Sequence, residues 1–195
     1  EIEIGKIDAH ILYEFSGIVS CNSYIRERTR NTNFKSEHTS ISWTVHDLGF
    51  RDAINEAGVP YGAKSKTIKP PSKPYSKMDY WRGIIDADGS LGITGQGFPF
   101  ISLVTTSTYL AEAYFDLIEE IVGYRPKTKR NKRDDAYNIM VNRENAQKLV
   151  QFLYGDATLC LDRKRKSAQQ IIQWTRPNGM KTRKQREWSD KELEY

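Results

Sequence analysis

Residues 15–25 read FSGIVSCNSYI and residues 81–91 read WRGIIDADGSL. A segment written twice asks for two like units, and that limits the fold more than any composition does. Phe15 matches Trp81, Gly17 matches Gly83, Ile18 matches Ile84 and Val19 matches Ile85. Cys21 takes the place of Ala87, again a small side chain. Asn22 stands where Asp88 stands, so the first copy keeps the packing pattern and loses the acid.

A second match supports the repeat. SISWTVHDLGFRDAINEAG, residues 40–58, parallels YNIMVNRENAQKLVQFLYG, residues 137–155. Each reads as a strand, a polar break, then a helix closed by glycine. The second copy holds far more chain between its two matched blocks. The first, with only about residues 24–39 in that interval, is therefore shortened, or part of it is absent from this chain.

The second copy can be parsed from local signals. The proline-rich run IKPPSKPYSK, residues 68–77, is a linker. Ser76 followed by Asp79 is a capping-box-like pair that starts a helix at Lys77. Gly89 stops it, which places the helix over about 77–86. Tyr80, Gly83, Ile84 and Ala87 share one face, and Gly83 with Ala87 is a small-xxx-small pair that permits close helix approach. Strands are expected near 90–94 and 98–106. A helix over 108–122 follows, with an apolar stripe of Leu110, Ala113, Tyr114, Leu117, Ile118 and Ile121. Two more strands, a helix over 144–154 and a last helix from Arg163 to Trp174 complete the order.

The acids at the end of the first helix carry the chemistry. A carboxylate at a helix C-terminus lies beside free backbone carbonyls, where the dipole favours a cation. Asp88 is thereby a candidate hard-oxygen ligand for Mg²⁺, with a nucleic-acid phosphate completing the shell. The plainer reading is a core helix with a polar end.

Charge points the same way without deciding it. Thirty Lys and Arg against 25 Asp and Glu give +5 and a pI near 9.1, which permits a polyanionic partner. RPKTKRNKR, residues 125–133, has six basic residues in nine. It reads as a solvated hairpin or as a basic ribbon following phosphates, with Lys127, Lys129, Arg130, Lys132 and Arg133 as the contacts. Thr94, Gln96, Ser102 and Asn138 lie on or beside strands from which base edges can be read. Arg163, Lys164, Arg165 and Lys166 open the last helix against its dipole, which raises the question of what anion they serve.

Other classes drop out. Cys21 and Cys160 form no CxxC, and His10, His38 and His46 form no HxxxH pair. No run of about 18 apolar residues offers a membrane span, and no signal-peptide pattern opens the chain. Two lone cysteines suit a reducing, intracellular setting, in cytoplasm or organelle matrix. The chain begins at Glu1 and stops just after a helix-start signal, Ser189 with Glu192, as a fragment would.

WRGIIDADG, followed by this α-β-β-α-β-β-α order, resembles the signature of the LAGLIDADG homing endonucleases. The resemblance covers residues 76–174 and includes LYGDATLCLDRKRKSA at its end. It implies an α+β αββαββα fold in two pseudo-symmetric copies, with an antiparallel β saddle gripping double-stranded DNA. On that basis residues 1–75 are a degenerate first copy or an accessory domain, 76–174 the endonuclease copy and 175–195 a basic tail.

The resemblance further implies that Asp88 binds the divalent metal with help from the Ala87 carbonyl. It makes Lys164 the candidate catalytic lysine and Lys166 the second choice, with Lys64 or Lys66 their counterpart in the first copy. The two motif helices would pack through Gly17, Cys21, Gly83 and Ala87. The chain departs from the pattern at Asn22, whose neutral amide is a weaker ligand than a carboxylate. Strand-biased or slow cleavage is the expected consequence. Two alternatives stay open: a non-cleaving maturase or regulator on the same fold, and a homodimer in place of a pseudo-symmetric monomer.

Overall fold

Alternating apolar residues build two sheets, and helices cover one face of each. The computed structural model describes residues 1–31 and 37–177. In the first half, β1 (Ile2–Gly5), β2 (Ser23–Arg30) and β3 (His38–Val45) form an antiparallel sheet in the order β1-β3-β2. In the second, β4 (Gly89–Ile93), β5 (Pro99–Thr105) and β6 (Tyr137–Asn142) form another in the order β4-β5-β6. The helices are α1 (His10–Ile18), α2 (Leu48–Glu56), α3 (Lys77–Asp88), α4 (Thr108–Val122), α5 (Arg143–Tyr154) and α6 (Asp162–Ile172). No helix among the described residues is long and apolar enough to cross a membrane.

The second half has the larger core. Ile101 and Leu103 of β5 and Ile139 and Val141 of β6 point under the helices. There they meet Trp81 and Ile85 of α3, Tyr114 and Ile118 of α4, Leu149 and Leu153 of α5, and Ile171 of α6. The first half buries less: Ile11, Leu12, Ile41 and Trp43. Leu161, which follows α5 in the chain, completes that smaller cluster. The halves are also joined by Arg163, whose Nε lies 3.0 Å from Asp8 Oδ2, and by His10 Nε2, 3.2 Å from the Cys160 carbonyl. The proline-rich linker is pinned where α4 begins. There Thr106 and Ser107 donate to the carbonyls of Ser65 and Ile68.

Two expectations change. Among the described residues only one strand, β6, follows α4. Residues 124–130 pair with no strand, and the stretch beyond them contributes a single bridge, Asn131 to Ala136. The cause is local. Gly123 turns the chain with φ 84°, Pro126 has no N–H to offer, and Arg125 is drawn back onto α4 by Glu112, Asp116 and Glu119. The second change concerns the repeat. β3 is the central strand of its sheet, so its topological counterpart is the central β5. The match of residues 40–58 with 137–155 instead sets it against the edge strand β6. The edge place beside β3 belongs to β1, which precedes the first motif helix.

Arg82 is only 4% exposed. Its Nη1 donates to the Leu153 carbonyl at 3.0 Å and its Nε to the Leu159 carbonyl at 2.9 Å, and Asp79 pairs with it from one turn back. It ties α3 to the end of α5. Replacing it by Met strands two carbonyls, so Arg82→Met should lower unfolding stability by about 3 kcal/mol. Urea denaturation measures this; a loss below about 1 kcal/mol would mean water or the chain re-satisfies both carbonyls.

Candidate functional site

Ser76 caps α3 as the spacing requires, accepting from the Asp79 N–H. The helix runs to Asp88, two residues past the expected end, and Asp88 is its last residue. Residues two apart on a helix point about 200° apart, so Asp86 and Asp88 part company. Asp86 turns inward. Tyr154 Oη donates to it at 2.6 Å and the Leu161 N–H at 2.9 Å. Burial pushes its carboxyl pKa up, against the pull of those two donors, Lys164 and Arg82. The same burial, with Asp86 beside it, pushes the Tyr154 phenol far above its ordinary value. Asp88 turns outward, exposed, and its carboxylate has no partner among the described residues.

Lys164 lies beneath this helix end, 5% exposed. Its ammonium donates to the Ile85 carbonyl at 3.2 Å and the Gly89 carbonyl at 2.5 Å. Burial holds its pKa down, and Arg163 adds to that. The amine of the candidate catalytic lysine thus fastens the carbonyl end of α3. Gly89 is required here for space. Its φ of −93° is ordinary, but a Cβ would lie 2.8 Å from Ile85 Cα and 2.9 Å from the Ile85 carbonyl oxygen.

The Ala87 carbonyl is among the last four of α3 and lacks an intrahelical donor. One free carboxylate beside such a carbonyl suits a hard cation that keeps most of its shell in water or phosphate oxygens. It does not suit a cation held by protein alone. Among the described residues no three His, Cys, Asp or Glu side chains gather closely enough for that.

In the first half, α1 ends at Ile18, four residues before Asn22. Asn22 still directly precedes β2, as Asp88 precedes β4, but it sits in a non-helical bend, its carbonyl accepting from the His46 N–H at 2.8 Å. The close seam expected through Gly17, Cys21, Gly83 and Ala87 is not made. A Cβ at Gly17 or Gly83 would meet nothing within 4 Å. A groove of about 720 Å³ lies between α1 and α3 instead, lined by Leu12, Phe15 and Ile18 on one side and Gly83 and Ala87 on the other.

The basic residues divide sharply. Arg130 pairs with Asp135 at 2.7 Å, and Arg133 with Asp134 at 2.8 Å. Arg163 is held by Asp8, and Arg165 donates to the carbonyls of Ala157 and Thr158. Lys66 pairs with Asp135. Lys127, Lys129, Lys132, Lys166 and Lys64 stay exposed, with no partner among the described residues. Ser102 and Asn138 lie on the face of the second sheet away from the helices, where Ser102 is screened by its neighbours and Asn138 is exposed. Thr94 closes the β4–β5 turn, its hydroxyl accepting from the Phe98 N–H, and Gln96 is exposed at the tip.

Sequence reading passed over the open face of the first sheet. Tyr24, Arg26, Arg28 and Arg30 alternate along β2 and share that face. The signal was there, as Y-x-R-x-R-x-R with a period of two. It lay in the interval read as shortened, where no strand was assigned. Seen in space, Arg26 and Arg28 of that stripe join the exposed lysines as cations without a salt bridge among the described residues.

The family model of a LAGLIDADG-like domain matches residues 76–153. No curated protein matches the chain. Proteins with this domain are usually nucleases, typically bind DNA and generally use divalent metals.

The Asp86 contact sets a pH dependence. A carboxyl raised on folding contributes stability at low pH and loses it as pH rises through its folded value. Tyr154→Phe removes the first counterweight to burial and raises that value further. The variant should be about 2 kcal/mol less stable than wild type at pH 8, with a smaller gap at pH 5. Urea midpoints at the two pH values test this; a gap that is equal or wider at pH 5 would contradict it. Gly89→Ala should also be destabilised, by roughly 1–3 kcal/mol, because the obstructing atoms are backbone.

Proposed function

We propose, from the match of residues 76–153 to a LAGLIDADG-like domain, that the chain is a site-specific DNA endonuclease of homing type, with the intron or intein mobility that implies. One observation carries the reading. Asp88, the last residue of α3, offers an exposed, unpartnered carboxylate beside the free Ala87 carbonyl. Nothing structural within the described chain uses that acid, whereas Asp86 two residues earlier is fully occupied.

Asp88 and the Ala87 carbonyl would hold a divalent cation, Mg²⁺ in this reading. When bound, it supplies Lewis-acid polarisation of the phosphate and a water of lowered pKa. The chain's own part is placement. Lys164 and Asp86 fix the end of α3, and the exposed lysines at 127, 129 and 132 meet phosphates of the duplex. Lys164 then acts as a positioning residue, while the exposed Lys166 is the one free to approach DNA. Residues 1–75 serve as the degenerate first copy, and a monomer with pseudo-two-fold symmetry needs no second chain.

Asn22 is the reason for a second reading. With no carboxylate at the strand entry of the first half, one of two cleavage centres lacks its acid. Cleavage is then biased to one strand. If the second centre is also silent, the protein is a non-cleaving maturase or regulator.

The deciding experiment selects a target from randomised duplex DNA with Mg²⁺ and scores cuts on each strand. Wild type should nick one strand far faster than the other, and Asp88→Asn should fall to the uncatalysed background while retaining DNA affinity. Equal, fast cutting of both strands by a monomer, checked by mass in solution, would sink the strand-bias claim. Salt-sensitive binding with no cutting would favour the maturase or regulator.

A further inference from the structure

β2 places four side chains on one open face at every second position: Tyr24, Arg26, Arg28 and Arg30. Opposite them on β3 stand Thr44, Ser42, Ser40 and His38, all neutral or small except the last. Glu3 of β1 pairs with Arg30, accepting from its Nη2 at 2.9 Å and from Ser40 Oγ at 2.5 Å, and its charge is also felt by Arg28. Arg26 and Arg28 are exposed, and among the described residues their guanidinium groups make no hydrogen bond or salt bridge. Like charges two residues apart on one strand face repel, and one carboxylate already paired with Arg30 does not offset both, so the arrangement favours an anion above the sheet.

The second sheet differs. Its open face presents Ser90, Ser102, Val104, Asn138 and Met140, with no charge. The two sheets therefore address a ligand unequally. Alternate residues on a strand are about 6.6 Å apart, and two base-pair steps of duplex DNA rise about 6.8 Å. A guanidinium fork matches the O6 and N7 acceptors of guanine in the major groove. We propose that Arg26 and Arg28 each read a guanine, two base pairs apart, in the half-site beneath the first sheet. This rests on the DNA-binding reading above and adds its polarity. The half that has lost its acid keeps the charged, base-reading surface.

The test is selection of bound sequences from randomised duplex DNA in EDTA, so that cutting plays no part. Wild type, Arg26→Gln and Arg28→Gln are compared, both changes lying on an exposed strand face. Wild type should return one half-site with two guanine preferences spaced by two base pairs. Each variant should lose or exchange one of the two and leave the other, with affinity for the wild-type site down roughly 10-fold. The salt slope should stay close to that of wild type, because a lost phosphate contact would lower it by about 1. Unchanged base preferences in both variants, with weaker binding to every sequence alike, would mean the stripe meets phosphates only and would overturn the proposal. A wild-type protein that binds no duplex even at low salt would remove the DNA-binding reading and this inference together.

Discussion

The carbonyl end of α3 is where the second half is held together, and the interactions there are polar and buried. Asp86 and Arg82 reach from the helix to partners between Leu153 and Leu161, and Lys164 reaches back from the start of α6 to the Ile85 and Gly89 carbonyls. Burying three charges is costly unless each is bonded, and here each has at least two partners. Such a set specifies one geometry more than it adds stability. Shifting α3 by a turn would orphan Asp86 and two carbonyls at once. The exposed position of Asp88 follows from this, since it projects from a helix whose opposite side is fastened.

The same set joins the halves. The connection between α5 and α6 satisfies Asp86 through Leu161 N–H, then sends the Leu161 side chain into the first core and Arg163 to Asp8. The smaller first sheet would otherwise have little to pack against: the buried residues of its core are four apart from Leu161. This also answers the opening of α6 with four cations. Three of them are used on backbone carbonyls or Asp8, so the helix start serves internal bonding, and only Lys166 looks outward.

Electrostatic reading of the sequence overstated one surface and missed another. RPKTKRNKR looks like a basic ribbon, yet Arg125, Arg130 and Arg133 each face acids from α4 or from Asp134 and Asp135. SYIRERTR looks balanced, with Glu27 among its arginines, yet the pleat turns Glu27 to the other face and leaves Arg26 and Arg28 together. Net charge per segment cannot see this, because pairing depends on which side of a strand a residue occupies.

What the sequence determined by itself is local. The Ser76 cap, the span of α4 from its apolar stripe, the hairpin of β4 and β5, and the repeat of the motif before β2 and β4 all follow from periodicities and capping rules acting within a few residues. The resemblance carried by WRGIIDADG rests on those same local features. Tertiary structure alone decided which aspartate is free, which cations are neutral and how sheet edges are shared. Asp86 meets Tyr154 and Leu161 across 68 and 75 positions, and Arg163 meets Asp8 across 155. Local pattern places a charged side chain on an element and a face; only the folded chain supplies its partner, and the partner decides whether that charge is available to a ligand.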